Sequence, residues 1–146
     1  MKQKKYIFTY TDQVRDYECD LQGIVNNANY QHYLEHTRHK FLEKNQLSFS
    51  ELHKRGVDCV VARISIDYKN SLRPGDVYIS CLNVKKEGIK YVFLQDIYKP
   101  NEENGTQQGV LCIRSRIETV ALINGRLGTT KELDALAEET DSLKEN

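Results

Sequence analysis

The stretch ANYQHYLEHTRHKFLEKN, residues 28–45, decides the fold. Advancing about 100° per residue puts Tyr30, Tyr33, Leu34, Thr37 and Phe41 on one face. The spacing predicts a long helix from Ala28 to about Asn45. Upstream, Tyr6, Phe8, Tyr10 and Val14 recur near period two, as in a strand. Downstream, Leu47 to Arg55 suits a short second helix that Gly56 ends.

Beyond Gly56 the chain has strand character. Val60, Ala62, Ile64, Ile66 and Tyr68 alternate with Val61, Arg63, Ser65, Asp67 and Lys69. Arg73-Pro74-Gly75-Asp76 has turn chemistry, since proline presets one dihedral and glycine supplies the other. Val77–Val84 and Lys90–Tyr98 form further strands around a Lys86-Glu87-Gly88 turn. Lys99 to Gly109 is a polar loop. Leu111, Ile113, Ile117, Ala121 and Ile123 mark one face of a last long strand, closed by Asn124-Gly125. Thr129 with Glu132 resembles a capping box opening a weak C-terminal helix.

Strand, long helix, then four strands on short connections predicts an α+β fold with a five-stranded antiparallel sheet around one long helix. One helix covers one sheet face, so the remaining face and edges favour self-association. At 146 residues the chain is expected to be one domain, 1–146, with about 139–146 a frayed tail.

Twenty-one basic and twenty-one acidic residues cancel, so no global field recruits nucleic acid or a membrane. The N-terminal MKQKKYIFTYT lacks the apolar run of a signal peptide, and no membrane span is evident. A cytoplasmic setting is the expectation. Cys19, Cys59, Cys81 and Cys112 are far apart with no C-x-x-C pair and are expected as free thiols. Asn104-Gly105-Thr106 would then be a sequon without consequence.

The chemistry concentrates in Tyr17-Glu18-Cys19-Asp20-Leu21-Gln22-Gly23-Ile24-Val25-Asn26-Asn27-Ala28-Asn29-Tyr30. This loop delivers a carboxylate and several carboxamides to a helix start, where unpaired N–H groups carry partial positive charge. A developing oxyanion would be stabilised there, with Asp20 activating water or attacking directly. The same residues also serve ordinary caps and turns, and spacing does not separate the two.

The run D-x-x-G-I-V-N-N-A-N-Y with Gln31-His32-Tyr33-Leu34-Glu35 resembles the signature of the 4-hydroxybenzoyl-CoA thioesterase-like branch of the hotdog superfamily. The similarity continues through Asp67-Tyr68 and the Arg73–Asp76 turn to the last strand. The resemblance implies a hotdog fold and an acyl-CoA or acyl-ACP thioesterase with Asp20 as catalytic carboxylate. It also implies that Gly23 and Asn27 bring a backbone N–H to the thioester carbonyl. Sites between subunits of a homodimer or homotetramer, with no metal or cofactor, follow as well.

Two departures from the family pattern matter. Many bacterial members carry an aromatic residue and a histidine where this chain has Asn26-Asn27, so no imidazole role transfers. The Asn-Asn pair is similar to plant-type acyl-ACP thioesterases, whose motif reads D-x-N-x-H-V-N-N. Gln22 and Ile24 stand at that Asn and His, and isoleucine does no acid–base work.

The candidate catalytic residues are therefore Asp20, Asn26 and Asn27, and the candidate substrate-binding residues Gly23, Val25 and Tyr30. His32-Tyr33-Leu34-Glu35-His36 matches a zinc-protease spacing, but with no third ligand evident no metal is expected. Glu35 is expected to salt-bridge near Arg38 and Gln31. Lys69, Arg73, Lys85, Lys86, Lys90, Arg114 and Arg116 are available for the CoA phosphates. Alternatives on the same fold are a non-catalytic acyl-thioester binder and a dehydratase or hydratase, which wants a placed histidine. The remaining alternative is a structural oligomer.

Overall fold

A computed structural model of the chain describes residues 4–101 and 108–144, so the Asn104 sequon and most of the polar loop lie outside the described residues. Five long strands are β1 (Phe8–Gln13), β2 (Val57–Tyr68), β3 (Val77–Glu87), β4 (Lys90–Pro100) and β5 (Gln108–Ile123). A three-residue β6 (Arg126–Gly128) pairs with β5 across the Asn124-Gly125 turn, where both residues have positive φ. The order is β1-β3-β4-β5-β2, with every pair antiparallel.

β1 and β2 are thus the two edges, and the chain passes from one to the other through α1 (Asn27–Lys44) and α2 (Phe49–Lys54). That passage lays α1 across one face of the sheet. Tyr30, Tyr33, Leu34, Thr37 and Phe41 are all buried, as their spacing predicts. Tyr30, Tyr33, Leu34 and Phe41 share a core with Tyr78, Leu82, Phe93, Ile97, Ile113 and Ile117. Full burial stabilises each large apolar side chain by roughly 1.5–3 kcal/mol.

Both ends of α1 have identifiable stops. Asn26 Oδ1 accepts the Ala28 N–H at 2.9 Å. At the far end Gln46 takes φ 57°, and Leu47 N–H returns to Leu42 O at 2.8 Å. That 6→1 bond, with Gln46 N–H on Glu43 O, closes a Schellman motif around the buried pair Leu42 and Leu47.

Three features depart from the sequence expectations. The alternation of β2 breaks at a bulge between Val61 and Arg63, so Val61 joins Ile64 and Ile66 facing α1 and Ala62 leaves that row. A second irregularity, where Ile97 and Tyr98 face Ile113 and Leu111, moves Leu111 to the outer face beside Ile79 and Tyr98. The C-terminal helix α3 (Lys131–Lys144) is capped by Thr130, not Thr129: Thr130 Oγ1 accepts the Leu133 N–H at 3.1 Å.

Nor does α3 loosen at 139. Its Thr140 is buried and accepts the Val84 N–H at 3.1 Å, covering the edge of β3 beyond the end of β1. On the outer face, the segment before β1 binds Asn83, Asp96 and Gln108 through Lys4, Lys5, Tyr6 and Ile7. β2 differs: Val60, Val61, Ile64 and Tyr68 are 43, 42, 39 and 47% exposed.

Candidate active site

The loop from β1 to α1 is folded back on itself. A bridge between Cys19 and Val25 closes it, with Asp20 N–H on Ile24 O at 2.9 Å and Asn26 N–H on Glu18 O at 3.1 Å. Gly23, at φ 76°, makes the reversal that an L side chain would resist, and its N–H closes the turn on Asp20 O at 3.0 Å.

The turn holds Asp20 seven residues before Asn27 in sequence, on the strand end that pairs back toward the helix start. The Asp20 side chain is exposed, and its Oδ1 accepts the Gln22 N–H at 2.8 Å. One carboxylate oxygen is therefore engaged in an Asx turn, and among the described residues Oδ2 has no partner.

Each nearby amide has a traceable fate. Val25 N–H donates to Leu72 O at 2.9 Å, Asn26 N–H to Glu18 O, and Ala28 N–H to the Asn26 side chain. Asn29 N–H reaches Asn26 O at 2.9 Å. Of the amides from Val25 to Asn29, Asn27's alone has no acceptor among the described residues. A free amide in the first turn of a helix is the group an oxyanion needs. Asn26 acts as the helix cap, and the Gly23 N–H is already occupied.

Val25 and Tyr30 are 1% and 3% exposed and join the core. Tyr30 Oη accepts the Leu72 N–H at 2.8 Å, so Leu72 is clasped through both its backbone groups, by Val25 and by Tyr30. The Tyr30 ring meets Tyr33 and Tyr68 edge-on at 6.1 and 5.8 Å. Burial raises its phenol above the ordinary range.

Glu18 holds more of this region than the sequence suggests. Besides receiving Asn26 N–H, its carbonyl accepts the Asn29 side chain at 2.7 Å, and its carboxylate accepts Tyr33 Oη–H at 2.8 Å. Tyr33 in turn stacks on Tyr78 at 4.7 Å. The Glu18 carboxylate also accepts the Arg15 N–H at 2.7 Å, and its tertiary partners Tyr33 and Asn29 lie on the helix, where the spacing gives no sign of them.

Among the described residues, hollows flank α1 on both sides. A polar cleft of about 480 Å³ lies on the β1 side, where His36 Nε2 meets Tyr10 Oη at 3.3 Å and His32 and Lys40 join the wall. Two hollows of about 240 Å³ each lie on the β2 side and share Glu35, Arg38 and Val61. Asp20 lines none of the three. Glu35, expected to salt-bridge, has its ion-pair contact with His39 at 3.6 Å. Arg38, only 7% exposed, donates to Gln95 Oε1 at 2.9 Å.

Among the seven basic residues considered for CoA, Lys85, Lys86, Lys90, Arg114 and Arg116 are held in ion pairs. Lys69 and Arg73 are in none among the described residues, and they flank Leu72, the residue clasped by Val25 and Tyr30. All four cysteines are free, with Cys81 and Cys112 buried. Among the described residues no helix is long and apolar enough to cross a membrane.

Comparison with known proteins places this architecture. The family described as the thioesterase-like superfamily matches residues 14–131. Over 92 residues the chain is 33% identical to the acyl-acyl carrier protein thioesterase ATL3 of Arabidopsis thaliana, covering 62% of this chain and 48% of that protein. The chain thus spans about half the length of that relative and of its counterpart ATL2, at 49%.

The crystal structure of a hypothetical protein from Aquifex aeolicus superposes with a TM-score of 0.77 at 25% identity, covering 88% of this chain and 98% of that one. A 1,4-dihydroxy-2-naphthoyl-CoA thioesterase from Synechocystis superposes at 0.79 with 16% identity, covering 92% and 97%, which shows a shared fold. With the family match running from just after β1 through β2 to β6 and on to the first residue of α3, the chain belongs to the thioesterase-like superfamily and has its hotdog fold.

Proposed function

We propose that the protein hydrolyses an acyl-CoA or acyl-ACP thioester at the start of α1. The observation that carries this reading is the unpaired Asn27 N–H on the helix that follows the Asp20 turn. The thioester oxygen is held by that amide, where the helix dipole adds to the hydrogen bond. Asp20 Oδ2 takes a proton from water, whose oxygen attacks the carbonyl carbon. The C–S bond then breaks and the thiol leaves with the proton. In the alternative route Asp20 attacks the carbon itself, the thiolate leaves, and water hydrolyses the resulting anhydride, releasing the acid and the proton that the thiolate takes up. Asn26 serves by fixing the loop through the helix cap.

A second copy of the chain completes the site. The β2 edge has unpaired backbone groups and a row of exposed apolar side chains, which a second β2 in an antiparallel dimer would cover. That contact also excludes water from the β2 side of α1. Lys69 and Arg73 are the cations offered to the nucleotide phosphates.

The Gln22 N–H bond to Asp20 favours one second reading, a non-catalytic acyl-thioester binder. A thiol-release screen over short, long and aromatic acyl-CoAs, with enoyl-CoA hydration assayed beside it, separates the readings. Thiol release with free acid as the product supports hydrolysis. Binding without release favours the carrier, and hydration without release favours a hydratase.

A further inference from the structure

The two hollows on the β2 side of α1 share Glu35, Arg38 and Val61 and so adjoin there, making a trough in two parts. It runs from Gln31, one turn into the helix, past Arg38 to Leu42 and Leu133. Its walls are largely apolar, with Leu34, Val61, Ile64 and Phe93 among them. A guanidinium in its middle is therefore unusual.

Gln95, on β4, is fully buried and held by its Nε2 donating to Leu34 O at 2.9 Å, which aims its Oε1 at Arg38. That oxygen satisfies one of the five guanidinium donors. Among the described residues no sealed side-chain nitrogen lacks a partner, so the unpaired Arg38 nitrogens are those that reach the trough. Glu35, on the same helix, acts on Arg38 through its field and lies 3.6 Å from His39, whose charged form burial disfavours. Burial lowers the Arg38 pKa to about 10, which leaves it charged at neutral pH. A desolvated cation with no carboxylate in ion-pair contact among the described residues is costly, and guanidinium matches a carboxylate by two parallel hydrogen bonds.

We propose that Arg38, oriented by Gln95, recognises a carboxylate carried on the acyl chain, so that the preferred substrates are thioesters of dicarboxylic acids. This rests on the reading that the thioester lies at Asn27. Arg38 is eleven residues further on, about 16 Å along the axis at ~1.5 Å per residue. Its side chain leans back by about one turn, leaving roughly 11 Å. An extended chain covers ~3.5 Å per three bonds, so about ten bonds separate the two groups.

The test compares sebacoyl-CoA with decanoyl-CoA, and measures binding of monomethyl sebacate by titration calorimetry. Wild type is expected to favour sebacoyl-CoA at least about tenfold in kcat/KM. Arg38→Met should abolish that preference and weaken monomethyl sebacate at least about tenfold, while Arg38→Lys keeps part of both. Equal kcat/KM for the two substrates in wild type overturns the proposal, whether or not Arg38→Met folds, and leaves the hydrolase reading standing. No thiol release from any acyl-CoA, with Arg38-dependent binding of monomethyl sebacate, supports the proposal and removes the hydrolase reading.

Discussion

The start of α1 and its middle are built on opposite terms. At the start, Asp20 and the Asn27 amide stand on a loop that faces solvent and is held by bonds to itself and to Glu18. Eleven residues on, Arg38 is buried, fixed by Gln95 and surrounded by apolar walls within one subunit. The Asp20 side chain is exposed, whereas Arg38 is buried, although the β2 wall of its trough, Val61 and Ile64, is itself exposed. Under the proposed function, chemistry at the start is completed by a second copy of the chain, while selectivity in the middle rests on Arg38 and Gln95 of one subunit.

The comparison breaks most sharply at β2. Ile64→Glu puts a carboxylate into the exposed apolar row, on the wall of the trough. Sedimentation should show a dimer for wild type and a monomer for the variant, and thiol release should fall at least about tenfold at equal concentration. A dimeric, fully active variant would detach the site from self-association.

A smaller effect lies inside the loop's anchor. Tyr30→Phe removes the acceptor of the buried Leu72 N–H, so unfolding in urea should show a loss of about 1–3 kcal/mol. Asn26→Ala removes the α1 cap and should cost about 1 kcal/mol, with a partial fall in turnover from loosening Asn27. Wild-type turnover in the capless variant would mean that the loop needs no such order.

The fold was largely legible because its signal is periodic. The apolar stripe from Tyr30 to Phe41 located α1 to within a residue, and turn chemistry at Arg73–Asp76 and Asn124-Gly125 placed two strand boundaries. The bulges at Ala62 and Cys112 were not legible, since one extra residue leaves no compositional mark yet inverts the faces beyond it. The helical end of the chain was missed because its anchor, Thr140 on Val84, is a tertiary contact.

At the site, the Asp20–Asn27 loop stood out by residue type and by resemblance. Which amide stays unpaired did not, because Leu72 and Glu18 take the others from distant elements. Arg38 did leave a trace. It falls among Leu34, Thr37 and Phe41 on the buried side of the helix, and Gln95 interrupts the apolar row of Tyr91, Phe93 and Ile97. A charge and a carboxamide breaking two facing apolar patterns mark a buried polar pair.

Thiol release by Asp20→Asn beside wild type, at matched concentration and on the best acyl-CoA, tests the central claim most directly. The account predicts that kcat falls at least about 100-fold while the unfolding midpoint stays close to wild type. Equal turnover by the two proteins would contradict it.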